Sequence, residues 1–129
     1  MDRWEGGGRM DAGDVGDWIQ EIKAEPGSAA VGMMLVHQGV VRGTSRSGYP
    51  VRGMVLAADR ARLERALDEA AESPGIFAVR GWVNEGELAV GDDIMKLLVA
   101  GDVREHVFAA LERLVTTVKR EVVTETELR

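Results

Sequence analysis

Two cations near the end of the chain, Arg104 and Lys119, are the residues whose types and spacing best suit chemistry. They stand at opposite ends of a segment with helical periodicity, so a single element would fix both charges. Arginine offers a planar fork of donors to phosphate or carboxylate, and lysine can bind an anion, form an imine or move a proton. The pair indicates a site for an anionic ligand, although the helix macrodipole alone also explains a lysine in a last turn.

Three further arginines, Arg42, Arg46 and Arg52, make up a basic segment in an otherwise acidic chain. No acidic residue falls between Glu25 and Asp59, whereas the whole chain carries a net charge of −6. Such a segment suits an anion-binding surface and equally suits a solvated hairpin.

Composition excludes several classes of function. The net charge of −6 argues against a nucleic-acid partner, because phosphate affinity comes from accumulated Lys and Arg. With no cysteine and only His37 and His106, we expect no disulfide, no metal site and no cofactor. No stretch reaches the roughly 18 apolar residues of a membrane span, and the N-terminus does not resemble a secretory signal. The protein is therefore expected to be cytoplasmic.

The length of 129 residues predicts one domain, residues 14–129, preceded by a flexible Gly-rich tail over residues 1–13. Apolar residues at helical spacing after Asp14 predict a first helix with Asp14 as its cap, ended by Pro26. Strands are predicted over residues 29–42 and 51–57. A Gly/Ser-rich turn joins them, so they should form a hairpin that carries the basic segment.

The second half of the chain continues the alternation of helices and strands. A helix capped by Asp59 is predicted to run to Glu72, followed by strands over residues 76–83 and 88–100. A long helix capped by Asp102 follows, and residues 121–127 read as a terminal edge strand or an arm. The order α-β-β-α-β-β-α-β predicts an α+β fold, with helices on one face of a largely antiparallel sheet.

Five segments, taken in order, carry a family resemblance. They are Gly39-Val-Val-Arg42, Val51-Arg-Gly-Met-Val-Leu56, Gly86-Glu-Leu-Ala-Val-Gly91, Arg104 with Phe108, and Leu114 to Lys119. In their order and spacing the chain resembles the large, catalytic subunit of molybdopterin synthase over about residues 14–127.

The resemblance implies an α/β hammerhead-type fold, a homodimeric core, and a small ubiquitin-like sulfur-carrier subunit bound at each outer end. The carrier's C-terminal Gly-Gly thiocarboxylate would donate sulfur to a pterin phosphate, cyclic pyranopterin monophosphate, and two transfers would make the dithiolene of molybdopterin. Arg42 and Arg104 would bind substrate, and Lys119 would be the catalytic lysine near the thiocarboxylate. Arg46 and Arg52 would substitute for cations lost elsewhere.

Two departures from the family pattern bear on the reaction. Val103 stands where the family has a histidine, and Thr126 stands where its second essential lysine is expected. One hypothesis is a sulfurtransferase that works with the remaining cations. Another is a non-catalytic relative that binds the sulfur carrier or a pterin phosphate, and a third is an unrelated small α+β protein. The enzyme is favoured because Lys119 is retained.

Overall fold

A computed structural model describes residues 14–129, so the predicted tail over residues 1–13 lies outside the described part of the chain. The helices are α1 Val15–Ala24, α2 Arg60–Ala71 and α3 Arg104–Thr117. The strands are β1 Met33–Val40, β2 Gly53–Ala58, β3 Ile76–Val83, β4 Gly86–Ala89, β5 Asp93–Gly101 and β6 Val123–Leu128. A 3₁₀ turn, Ser28–Ala30, precedes β1, and a π-helical turn, Val118–Val122, joins α3 to β6.

The strands form two antiparallel sheets of three strands each. The first sheet has the order β1-β5-β3 and the second the order β4-β2-β6. Helices pack on these sheets, so the predicted α+β class is confirmed. The last segment of the chain is an edge strand, one of the two predicted possibilities, because within residues 14–129 β6 pairs only with β2.

The predicted hairpin between the first two strands is wrong. β1 pairs with β5, in a register that runs from Met33 opposite Gly101 to Val40 opposite Asp93. β2 pairs instead with β4 and β6, and the two arms of the intervening loop are joined by a bridge between Thr44 and Pro50 and a few hydrogen bonds rather than by a strand ladder. Strand pairing is set by the apolar face that each strand must bury, and β1 and β2 bury theirs as members of different sheets.

The predicted strand over residues 88–100 is divided in two. Gly91 has a positive φ of 94°, and the Asp92 side chain accepts a hydrogen bond from the Ala89 N–H at 2.8 Å. This tight turn ends β4 and starts β5, because a left-handed residue cannot continue a strand. The described part of the chain therefore has one strand more than the sequence predicted.

Two apolar clusters lie on opposite faces of the first sheet. The larger fills the space between both sheets, α2 and α3, and includes Leu67, Met95, Leu97 and Val107, all fully buried. The smaller lies beneath α1 and is formed by Trp18, Ile22, Ala78, Leu98 and Ala100. Successive β5 side chains point to alternate faces, so they serve both clusters. The prediction that helices pack on one face of the sheet was thus wrong, since α1 covers the other face of the first sheet.

Two of the three predicted helix caps are confirmed. The Asp14 carboxylate accepts a hydrogen bond from the Gly16 N–H at 2.6 Å, and Asp59 accepts one from the Arg62 N–H at 2.9 Å. Each satisfies a backbone donor that has no partner within its helix.

The predicted cap of α3 is wrong. Val103 holds the cap position without a side-chain bond, and it is 47% exposed. Asp102, one residue earlier, accepts from the Val103 N–H at 2.6 Å and lies 2.8 Å from His106 Nδ1. The Asp102 carboxylate therefore links the cap residue of α3 to His106 in the first turn of that helix.

The Asp102 contacts predict a dependence of stability on pH. The hydrogen bond from His106, and then that from the Val103 N–H, lower the pKa of Asp102. A carboxyl whose folded-state pKa is depressed stabilises the fold above its unfolded pKa of about 3.9 and loses that contribution as pH falls through its folded pKa. Urea unfolding should therefore show Asp102→Asn less stable than the unchanged protein at pH 6, with the difference shrinking by pH 3. A constant difference would contradict this account.

Candidate functional site

A cavity of about 460 Å³ opens where the end of β1, the loop before β2, the π-helical turn and β6 meet. Three of the predicted cations, Arg42, Arg46 and Lys119, line it together. The remaining lining residues are Val40, Thr44, Val51, Met54, Ile94, Glu125 and Glu127. The cavity thus has an apolar wall and a concentrated set of charges.

Arg42 is positioned by its buried neighbour Val41, which is 2% exposed. The Val41 N–H donates to the Asp92 carbonyl and the Val41 carbonyl accepts from the Gly91 N–H, each at 2.9 Å. The turn between β4 and β5 thereby holds the chain on both sides of Val41. Arg42 follows directly and is exposed at the cavity.

Arg46 lies in a tight turn that buried Ser45 closes. The Ser45 N–H donates to the Tyr49 carbonyl at 2.8 Å, and the Tyr49 N–H donates to Ser45 Oγ at 3.0 Å. The Gly48 N–H donates to the Ser45 carbonyl at 3.0 Å, and Gly48 has a φ of 91° that suits glycine. These bonds fix the backbone from which Arg46 reaches the cavity.

Lys119 lies in the π-helical turn, a form that proteins use mostly as single turns and frequently at functional sites. Val118 and Val122 of this turn are buried, which leaves Lys119 exposed toward the cavity.

Arg62 of α2 braces the same turn from outside. It donates to the Glu121 carboxylate from Nη2 at 2.8 Å and from Nε at 3.1 Å, and to Glu69 at 3.0 Å. The Glu121 hydrogen bond is the main cause of a raised pKa for Arg62. This two-pronged contact holds the turn that carries Lys119.

Two acidic residues that sequence reasoning missed, Glu125 and Glu127, complete the cavity. Lys119 Nζ donates to Glu125 Oε2 at 2.7 Å. Side chains on a strand alternate between faces, so Glu125 and Glu127 share one face of β6 and Thr126 takes the other, opposite exposed Val55. The alternation in residues 121–127 was the signal that could have found them.

His37 of β1 lies near Lys119, on the face of the sheet that α3 covers. Burial, and to a lesser extent the positive charge of Lys119, lowers the pKa of His37. The ring also lies beside Phe108 and Leu111, where an apolar surround disfavours its charged form. His37 is therefore a neutral neighbour of the lysine at pH 7.

This proximity gives a direct test of the geometry. In Lys119→Ala the His37 pKa should rise but stay below its ordinary value, because burial, the larger cause, remains. An NMR titration of the His37 ring protons measures it, with Arg120→Ala as the control for a lost neighbouring charge. An unchanged His37 pKa in Lys119→Ala would contradict the proximity of Lys119 to His37.

The structure does not bring the other two predicted cations to this cavity within one chain. The Arg52 Nε donates to the Arg129 carbonyl at 3.2 Å, outside the cavity. Arg104 is 77% exposed and contacts Glu105 at 3.5 Å, in a shallow depression that Gly32 and Met33 also line. α3 spans 14 residues, so about 20 Å separates its two ends and one small anion cannot touch both.

Over residues 14–129, no cluster of His, Asp and Glu side chains is arranged to hold a metal ion. In the same part of the chain, no helix combines the length and apolar character needed to cross a membrane.

The sequence also matches a model of a known protein family, described as MoaE protein, over residues 11–121. The chain belongs to the MoaE protein family. This match confirms the resemblance to the molybdopterin synthase large subunit and, with it, a place in molybdenum cofactor biosynthesis. An unrelated α+β protein is excluded.

Solved structures of this family share the fold of the chain. Molybdopterin synthase from Staphylococcus aureus is 18% identical, with a TM-score of 0.74 over 92% of this chain and 87% of that one. The molybdopterin biosynthesis MoaE protein of Burkholderia ambifaria MC40-6 is 23% identical, with a TM-score of 0.67 over 93% and 83%.

A third structure contains two different subunits. It is a protein–protein complex of subunits 1 and 2 of molybdopterin-converting factor from Helicobacter pylori 26695, 16% identical, with a TM-score of 0.66 over 90% of this chain and 79% of that one. Among curated proteins, no sequence matches this chain significantly.

Proposed function

We propose that this MoaE family member is the catalytic subunit of a molybdopterin synthase, and that sulfur transfer to cyclic pyranopterin monophosphate takes place in the cavity. One observation carries the proposal: Arg42 and Arg46 of the basic segment and Lys119, more than seventy residues later, line the same cavity. A solvated basic hairpin would not bring a lysine of a distant helical turn beside its arginines.

The roles of the three cations follow from their chemistry and surroundings. A guanidinium binds a phosphate group through two parallel hydrogen bonds, so Arg42 and Arg46 would hold the substrate phosphate. Lys119 would lie beside the thiocarboxylate of the carrier, where its charge stabilises the sulfur anion. The cavity volume of about 460 Å³ lies in the range of small-molecule sites.

We further propose that two copies of the chain pair through β1. This strand is an edge of the first sheet, and its eight residues include no Lys, Arg, Asp or Glu. Long uncharged edges invite pairing with another chain, and monomers protect them with charges. Beside the strand, Leu35 and Phe108 line an open apolar groove, and Phe108 is 52% exposed. A second copy would cover both features.

Pairing of this kind would explain the position of Arg104. Two β1 strands related by a two-fold axis run antiparallel, so Met33 of one copy lies near Val40 of the other. Met33 lies beside Arg104, and Val40 lines the cavity. Arg104 would thus complete the cavity of the second copy rather than its own, which resolves the separation of about 20 Å along α3.

Static light scattering tests the homodimer. We expect twice the chain mass of 14.0 kDa, and a shift toward the monomer in Phe108→Lys. Tyr49→Lys is the control, because Tyr49 is 57% exposed at the tip of the loop before β2. A monomeric unchanged protein, or a dimer indifferent to Phe108→Lys, would contradict pairing at this face.

A small sulfur-carrier subunit with a C-terminal Gly-Gly is the partner that this function requires. The two-subunit complex from Helicobacter pylori supports such a partner for a chain of this fold. The alternative function, a relative that binds the carrier or a pterin phosphate without turnover, is supported by Val103 and Thr126, which replace a proton donor and a cation.

A single-turnover assay separates the two functions. The purified protein is mixed with cyclic pyranopterin monophosphate and a thiocarboxylated carrier subunit, and molybdopterin is measured. We expect product, because loss of one general acid typically slows a reaction by about 10²- to 10⁴-fold without abolishing it. Carrier binding without product would identify a non-catalytic relative.

A further inference from the structure

Glu125 places a negative charge of the chain itself inside the cation site. Its Oε2 lies 2.7 Å from Lys119 Nζ, and the two side chains are 25% and 40% exposed. Partly buried charges are screened by salt less than exposed ones, so this contact is stronger than a pair on the open surface. Lys119 therefore already holds an anion in the unliganded protein.

Little else restrains the Glu125 side chain. Over residues 14–129, Lys119 is the one group that bonds its carboxylate. The residue lies on β6, an edge strand that pairs with β2 alone among the described strands. Within residues 14–129 the carboxylate can rotate into water without breaking any other hydrogen bond or ion pair, so another anion can take its place on Lys119.

Charge is distributed unevenly along the cavity. Arg42 and Arg46 form no ion pair with any residue of the described chain, whereas Lys119 is paired. Glu127 lines the same wall and contacts Arg129 at 3.6 Å rather than the lysine. An incoming anion thus meets open cations at the arginine end and a carboxylate at the lysine end.

We propose that Glu125 is a specificity-determining residue, an internal competitor that the C-terminal carboxylate or thiocarboxylate of a bound peptide must displace to reach Lys119. That this ligand is a peptide terminus rests on the proposed function. The exchange needs no covalent step: the displaced carboxylate turns to water, and Lys119 keeps one anion throughout. A terminus without charge cannot make the exchange, so Glu125 selects for ionised ends.

Binding of a short synthetic peptide that ends in Gly-Gly tests this assignment, with the full chain observed by NMR chemical-shift titration. The peptide is used with a free C-terminal carboxylate and with an amide, and inorganic phosphate is a third probe. Glu125→Gln should bind the free-carboxylate peptide about fivefold tighter than the unchanged protein, because the competing ion pair is lost. The amidated peptide should bind both proteins alike.

Glu127→Gln is the matched control, because it removes an equal charge from the same wall without releasing Lys119. We expect it to change the peptide affinity less than about threefold, since it alters only the long-range electrostatic potential in the cavity. Equal gains in the two variants would overturn the displacement model, as would unchanged or weaker peptide binding in Glu125→Gln, or no peptide binding to either protein. A gain for phosphate alone would overturn the assignment to a peptide terminus.

The outcome is separable from that of the proposed function. If Glu125→Gln binds the carboxylate peptide more tightly but the unchanged protein forms no molybdopterin, Glu125 is a competitor and the proposed enzyme activity is wrong. If the unchanged protein forms molybdopterin but Glu125→Gln leaves the peptide affinity unchanged, the enzyme activity stands and the competitor role of Glu125 is wrong.

Discussion

Replacing Lys119 with alanine should lower molybdopterin formation in a single turnover by at least about 100-fold, while the fold stays intact. Under the proposed function, the lysine is the one cation that would stabilise charge at the sulfur, and no second lysine lines the cavity within residues 14–129. Its ion pair with Glu125 is partly exposed, and such pairs contribute about 0–1 kcal/mol to stability. The loss should therefore appear in the rate and not in the thermal midpoint.

Two variants control this experiment. Arg120→Ala removes a neighbouring cation of the same π-helical turn that does not line the cavity, and it should leave the rate within about threefold. Lys119→Arg keeps the charge but not the compact ammonium, so partial activity there would assign an electrostatic role. A well-folded Lys119→Ala protein with normal turnover would remove the catalytic assignment.

Replacing Trp18 with alanine should cost about 3–5 kcal/mol of unfolding free energy, the range for large-to-small changes in a core. Trp18 is 1% exposed and is the largest side chain of the cluster beneath α1. Its neighbours there include Ala78 and Ala100, whose small side chains cannot fill the space it would leave. Chemical denaturation followed by circular dichroism measures the loss.

Trp82 offers the comparison for Trp18. It is only partly buried at the border of the same cluster and lies under Lys96, whose Nζ is 5.4 Å from the ring centre. Trp82→Ala should therefore cost clearly less than Trp18→Ala. Equal costs, or a Trp18→Ala protein as stable as the parent, would mean that α1 does not form a second core.

Local signals in the sequence predicted the helices and strands well. They could not predict which strands pair when the partners are distant in the sequence. Caps at Asp14 and Asp59 and the stop at Pro26 act within a few residues, so the sequence displays them directly. The partner of β1 is β5, more than fifty residues later, and proximity favoured the wrong partner. The division at Gly91 was missed because apolar residues lie on both sides of it.

The same distinction holds at the site. The family resemblance implied a common site for Arg42, Arg46 and Lys119, and the cavity brings these three side chains together. Arg104 was expected to act with Lys119 because one helix carries both, yet helix length keeps them apart. Glu125 was missed because the choice between a strand and an arm for the last segment decides whether its side chain faces the lysine.

Affinity for cyclic pyranopterin monophosphate, measured by calorimetry, tests most directly the claim that this cavity is the substrate site. Hydrogen bonds to charged groups contribute about 1.5–3 kcal/mol, so Arg42→Ala should bind at least about tenfold more weakly than the parent. The double variant Arg42→Ala/Arg46→Ala should lose about 100-fold or more. Arg52→Ala, whose side chain lies outside the cavity, should bind normally. Equal affinities in all four proteins, or a loss confined to Arg52→Ala, would contradict the account.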